Sequence, residues 1–340
     1  MESEDQAADA FDDIPYVKGQ AVVRMLEAWL GEDSFRRGVR AYMAAHRFGN
    51  TTGANLWVAL EKASGKPVAR LATDWTAQPG YPLLKVAQVC EQGWRRITLS
   101  QEQYWLDEQL SRGAAVAGAG GAGGRGRQDH VHAADGPEHD HLPARLRGHA
   151  GGRSGGVGYY RVQYDSASFA ALAANSAKLG DSARLRLLSD TWSQAQSGRQ
   201  PLGAWAALAA TYQNESRAAI WRALASQLQA LDAMADGTPE QAAVRRFART
   251  LAAPAFARLG WDEKAGESVD QRALRPLLAT LLIRAGDEPL IAQGRERFAR
   301  FQQDAATVAV GHARGRGAGR RLAHQRGQLR CAGRAPGAVR

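Results

Sequence analysis

The chain has 340 residues, of which 44% are hydrophobic and 23% charged, an ordinary balance for a folded globular protein with room for two or three domains. No run of about 18 apolar residues is present, which excludes a helical membrane span; the acidic start MESEDQAADAFDD lacks the basic, then apolar, layout of a signal peptide. The net charge of +10 invites a nucleic-acid reading, but it is not spread over the chain. Residues 309–340 carry eight arginines and no acid, residues 111–156 carry six arginines against four acids, and the remainder is neutral. The arginine-rich end also lacks the interleaved aromatic residues of a single-strand binder, so no specific nucleic-acid partner is expected. Cys90 and Cys331 stand in unrelated contexts and imply neither a disulfide framework nor a cysteine zinc site.

After an acidic lead-in, FDDIPYVKG reads as a turn carrying Tyr16, with Lys18 and Gly19 opening a helix. Val22, Val23, Leu26 and Leu30 recur on one face of that helix, and Gly31 ends it. Asp33 is a plausible N-cap for a second helix with Phe35, Val39, Tyr42, Met43 and His46 on one face. Thr51 or Thr52 caps a third, with Leu56, Trp57, Leu60 and Ala63 inward, and Pro67 starts a fourth through Val68, Leu71, Ala72 and Trp75. Gln78-Pro79-Gly80 then breaks the helical pattern. Pro82 to Val89 and Trp94 to Leu106 read as two strands joined by a turn at Gln92-Gly93.

From about 110 to 155 Gly, Ala, Arg and His dominate and no strand or helix period survives. The stretch reads either as a flexible linker or as text from a shifted reading frame. Strand-like text resumes at GVGYYRVQYD, residues 156–165. From Ser166 to about Thr307 apolar residues recur at helical spacing: Leu185, Leu188 and Trp192; Leu202, Trp205 and Leu208; Ile220, Leu224 and Leu228; Phe247, Leu251 and Phe256; Leu277, Leu281 and Leu282. Short helices in this alternation suggest an α-solenoid. Residues 309–340 read as a disordered Arg/Gly-rich tail. The tryptophans at 57, 75, 192, 205 and 221 fall at core spacing and are read as packing residues.

The block Asp12-x-Ile14-x-Tyr16-x-Lys18-Gly19, the text GNTTGANLWVALEKASGKPVARLATDWTAQPGYPLLKV followed by ITLSQEQYWLD, and the later GVGYYRVQYD and LGDSARLRLLSDTWSQAQSG together resemble the aminopeptidase N-type zinc aminopeptidases, the family that includes puromycin-sensitive aminopeptidase. The resemblance covers roughly residues 11–108 and 156–308. It implies a mostly α chain with a small β portion in four segments. Residues 1–79 correspond to the last helices of a thermolysin-like catalytic domain, and 80–165 to a β-sandwich-like domain interrupted by 110–155. Residues 166–308 correspond to a helical C-terminal domain, and 309–340 are a tail without counterpart. It further implies zinc-dependent removal of N-terminal residues from peptide substrates, with Tyr16 hydrogen-bonding the oxyanion of the transition state. Lys18 is read as meeting the surface or an acidic neighbour, and Gly19 as allowing close helix approach.

Such an enzyme needs two histidines at i and i+4 with an adjacent glutamate, and a further glutamate ligand. No His-Glu-x-x-His occurs in these 340 residues, nor does the Gly-x-Met-x-Asn segment that holds a substrate amino terminus in the family. The zinc ligands are therefore expected to be absent from this chain, and hydrolysis by it alone is not expected. His130, His132, His139 and His141, with Asp140, form two His-x-His pairs, but they sit in glycine-rich text with no scaffold to fix a ligand geometry. His46 is read as a boundary histidine. The alternative, from a different class, is a non-catalytic helical-solenoid module that binds a peptide or protein. Location is open, with the cytoplasm favoured.

Overall fold

The computed structural model describes residues 14–78, 80–91, 94–107, 128–134 and 158–303. It divides into two compact units, Met1–Tyr212 and Gln213–Arg340. In the first, a π-helical turn at Ile14–Lys18 runs directly into α1, Gly19–Leu30. Three more helices follow: α2, Glu32–Ala45; α3, Gly53–Ser64; and α4, Val68–Thr76. The apolar period of α1 decides its packing. Val22, Leu26 and Leu30 are buried and meet Leu60, Val68 and Ala72 in one core, with Trp29, Phe35, Val39, Leu56, Trp57, Leu71 and Trp75 packed around it. A fully buried leucine such as Leu26 contributes roughly 2 kcal/mol by removal of its surface from water.

The helix boundaries are set by caps. Gly31 ends α1 at φ 83°, a backbone angle that a side chain would strain, and its N–H donates to Glu27 O. Helix α2 begins at Glu32 with Gly31 at its N-cap, so Asp33 is not the cap; its carboxylate instead lies 3.5 Å from Arg36 within the first turn. Thr52 caps α3, with the Asn55 side chain accepting from its amide at 2.9 Å. Met43, expected on the inner face of α2, is 61% exposed. The close contact between α2 and α3 comes from Gly38, where an added Cβ would stand 2.8 Å from Leu60 Cδ2 and 3.0 Å from Leu60 Cα.

The strands make one four-stranded sheet in the order β3-β2-β1-β4. Strands β1, Tyr81–Glu91, and β2, Trp94–Tyr104, pair antiparallel in the register Tyr81↔Tyr104, as their alternation predicts; the turn expected at Gln92-Gly93 lies outside the described residues. Strand β3, Gln128–Ala134, pairs antiparallel with β2. This corrects the expectation that residues 110–155 hold no strand: backbone pairing to β2 supplies what the side-chain pattern does not announce. Strand β4, Arg161–Tyr164, runs parallel to β1 in the register Leu83↔Arg161.

Beyond β4 the unit is helical. Asp165 N-caps α5, Ser166–Ala174, accepting from Ser168 N at 2.8 Å, while its second oxygen accepts from Gln88 N at 2.9 Å. One carboxylate thus ends the strand, starts the helix and holds β1. Helices α6, Asp181–Gln196, and α7, Leu202–Ala210, follow. Trp192 and Trp205 meet edge to face at 5.2 Å. Leu202, expected inward, is 45% exposed at the first position of α7.

The second unit contains α8, Ala218–Met234; α9, Gln241–Leu259; α10, Val269–Arg284; and α11, Glu288–Gln303. Ile220, Trp221, Leu224 and Leu228 are buried on α8, and Leu251, Leu278, Leu281 and Leu282 on its successors. Arginines close the connections: Arg275 Nε donates to Gly260 O at 3.1 Å, and Arg249 donates to Ala285 O at the end of α10. With these strands and helices described, the protein is mostly α with a small β portion.

Two glycine substitutions separate packing from backbone entropy. Replacing a helical glycine by alanine gains up to about 1 kcal/mol of helix propensity, less in the first turn, whereas overpacking costs about 1–3 kcal/mol. Gly38→Ala is expected to lower the urea midpoint because Leu60 must give way. Gly203→Ala, where a Cβ meets nothing within 4 Å, is expected to raise it slightly.

Candidate functional site

Tyr16 lies in the middle of the π-helical turn and is 59% exposed; Val17 beside it is 56% exposed. Single π turns of this kind recur at functional sites, and this one holds the phenol at the surface, at the head of the first four helices. Lys18 closes the turn. Its Nζ donates to Gln78 O at 3.4 Å and stands 5.9 Å from the centre of the Tyr159 ring. Of the surface and the acidic neighbour expected for Lys18, the structure has the first: the side chain is partly exposed, beside a carbonyl and an aromatic face. Gly19 does not mark a close helix approach, since no described atom lies within 4 Å of where its Cβ would be.

Tyr159 leads to a second group of side chains. It stands edge-on to Trp75, at 6.3 Å, and to Tyr81, at 5.3 Å, and Tyr81 stacks on Tyr104 at 5.1 Å. Arg161 lies over Tyr81, Arg186 over Tyr160 and Arg199 over Tyr104. Tyr81, Tyr159, Tyr160, Arg161, Arg186 and Asp190 are among the residues lining a cavity of about 370 Å³. Its arginines are committed to the fold: Arg186 donates to Tyr160 O and Gly158 O, and Arg161 donates to Ser189 Oγ at 2.8 Å and Asp190 Oδ1 at 3.1 Å.

Asp190 is the buried charge of this group. Its Oδ2 accepts from Val162 N at 3.1 Å, while Gln194, one turn further along α6, donates to Val162 O at 2.6 Å. Burial pushes the Asp190 carboxyl above its ordinary range, against the pull of Arg161, Arg186 and the Val162 amide. Asp165 goes the other way: burial would raise it, but the Ser168 and Gln88 hydrogen bonds prevail and hold it below the usual value. Sequence reading passed over Asp190 and Gln194. No local signal singles them out, because α6 also carries Arg184, Arg186, Ser189, Thr191 and Ser193.

The remaining candidates do not join Tyr16. His46 C-caps α2, partly buried, with its ring 5.5 Å from Tyr42, the boundary position expected of it. His130 and His132 fall in β3, opposite Thr98 and Arg96 by backbone register, and His139, Asp140 and His141 lie outside the described residues. Among the described residues no three His, Cys, Asp or Glu side chains are grouped to hold a metal ion. None of the described helices is long and apolar enough to cross a membrane.

An exposed tyrosine turn thus leads through four helices into a small sheet, and the chain continues from there as helices. Residues 1–75 match the peptidase family M1 domain, and residues 154–312 match the ERAP1-like C-terminal domain. The chain belongs to the M1 peptidase family, of the aminopeptidase N type. It is 30% identical over 323 residues to aminopeptidase M1-B of Oryza sativa subsp. japonica, covering 87% of this chain and 35% of the relative. It is also 30% identical over 263 residues to the tricorn protease-interacting factor F2 of Thermoplasma acidophilum, covering 77% and 32%. With aminopeptidase N of Lactococcus lactis subsp. cremoris the identity is 27% over 313 residues, covering 89% and 36%. The chain therefore spans about a third of the length of the curated relatives it matches.

Removing Asp190 strands a guanidinium whose side chain is only 27% exposed. Breaking a buried pair from one side costs about 3 kcal/mol or more, and Asp190→Ala is expected to lose that much in denaturant unfolding. The raised carboxyl fixes the sign of the pH dependence. The folded state binds the Asp190 proton more tightly than the unfolded chain, so this group's contribution to stability falls as pH rises from the ordinary aspartate range through the raised value. Asp190→Asn should remove that component of the slope.

Proposed function

We propose that this chain is the C-terminal portion of a zinc-dependent aminopeptidase that removes N-terminal residues from peptides, and that Tyr16 is its transition-state residue. The exposed position of Tyr16, in the segment matching the peptidase domain, carries the reading. A phenol O–H held on a helical turn can donate to the oxyanion that develops as a scissile carbonyl becomes tetrahedral. Such a donor acts where charge grows rather than on the ground state, and removing one typically costs about 100- to 1000-fold in turnover. The zinc ligands, the general base and the amino-terminus anchor are not residues of this sequence, so the chain alone is inactive in this reading. The segments 1–79, 80–165 and 166–308 keep the roles of catalytic-domain end, β domain and helical domain. The cytoplasm is the proposed location, in keeping with two unrelated cysteines.

Two measurements test this. Purified chain is expected to carry no stoichiometric zinc and to release no chromophore from aminoacyl p-nitroanilides; turnover that Tyr16→Phe abolishes would overturn the claim of inactivity. The role of Tyr16 is read in a chimera in which residues 1–78 replace the matching segment of lactococcal aminopeptidase N. An active chimera should lose about 100-fold or more of kcat on Tyr16→Phe with KM little changed. A Tyr16→Phe chimera as active as its parent would remove Tyr16 from the mechanism.

A further inference from the structure

Lys18 touches two places far away in sequence. Its ammonium donates to the carbonyl of Gln78, just ahead of β1, and faces the ring of Tyr159, just ahead of β4. Lys18 and Trp75 lie in the segment matching the peptidase domain, and Tyr159 in the segment matching the C-terminal domain. Among the described residues Lys18 has no carboxylate within ion-pair distance; its partners are a neutral oxygen and a π face. Such contacts stabilise little at a half-exposed position but are directional. Lys18 is also the last residue of the turn that carries Tyr16, so whatever fixes its ammonium fixes one end of that turn.

Tyr159 in turn is held at both edges, by Trp75 and by Tyr81. The neighbouring backbone is held as well, by Arg186 on the carbonyls of Gly158 and Tyr160. The ring is thus placed among α4, the sheet and a backbone segment that α6 holds, and Lys18 reaches across to it.

We propose that Lys18 is a positioning residue that couples the orientation of the Tyr16 turn to the Gly158–Tyr160 segment, so that a displacement of that segment is felt at the Tyr16 phenol. The proposal rests on the reading of Tyr16 as the oxyanion donor for its relevance to catalysis, though not for the coupling itself. Because the Lys18 contacts lie at the surface, substitutions there leave the fold intact.

The test uses the full chain labelled with 3-fluorotyrosine, read by fluorine NMR, with the Tyr16 and Tyr159 lines assigned through Tyr16→Phe and Tyr159→Phe. Tyr159→Leu, which removes the ring, should shift the Tyr16 line, and Tyr159→Phe, which keeps it, should not. In a Lys18→Met background the effect of Tyr159→Leu on Tyr16 should vanish, and Lys18→Arg should restore part of it. A Tyr16 line unmoved by Tyr159→Leu, or moved equally in the Lys18→Met chain, would overturn the proposal; the second result would route the coupling through Trp75. These readouts need no turnover. Coupling present while the Tyr16→Phe chimera stays active would sink the catalytic reading alone, and coupling absent while that chimera loses activity would sink the positioning role alone.

Discussion

Two side chains of α6 act as a substitute strand. In a parallel pair, alternate residues of an edge strand turn their N–H and C=O away from the partner, and those groups must find other partners if they are buried. At β4 Val162 is such a residue, itself buried, and α6 meets both of its groups: Asp190 accepts the N–H and Gln194 donates to the C=O. The four residues of β4 would otherwise be a short edge with an unsatisfied flank. The placement of Arg161, the cavity beside it, and the junction of sheet with helices follow from this one exchange.

The electrostatics of that junction show why the pair is retained although burial raises the Asp190 carboxyl. Bringing a carboxylate into a dry interior costs several kcal/mol, and a single arginine seldom recovers all of it. Here the carboxylate also satisfies a backbone amide, which a hydrophobic replacement would leave bare. Arginines serve the backbone elsewhere too, as Arg186, Arg249 and Arg275 show by ending on main-chain carbonyls. The planar forks of Arg249 and Arg275 reach carbonyls at helix ends, and that of Arg186 the carbonyls just ahead of β4. Outside the two arginine-rich stretches basic and acidic residues are equal in number, so the excess charge of the chain lies in those stretches.

Much of this was legible in the sequence because it rests on period and punctuation. The 3.6-residue recurrence of Val22, Leu26 and Leu30, the glycine stop at 31 and the strand pair on either side of Gln92-Gly93 are local signals, and their elements formed as expected. Tyr16 was legible only through the longer block around it, since an exposed tyrosine before a helix has no pattern of its own. What was missed depends on partners distant in sequence. Gly38 is tight only because Leu60 lies against it; Asp190 and Gln194 matter only because β4 is beside them; β3 exists through pairing with β2. Met43 and Leu202 show the opposite error, apolar residues at core spacing with nothing packed over them.

The substitute strand also bears on the order in which the chain assembles. The Asp190–Val162 contact joins residues 28 apart, whereas the Asp165–Gln88 contact that ties β4 to β1 spans 77. Closing the longer loop costs more chain entropy and is the slower event. A β4 segment already covered on one flank by α6 meets β1 with a single edge open. It can therefore join the sheet through that edge alone, and while it waits it offers passing chains half the surface that a bare strand would.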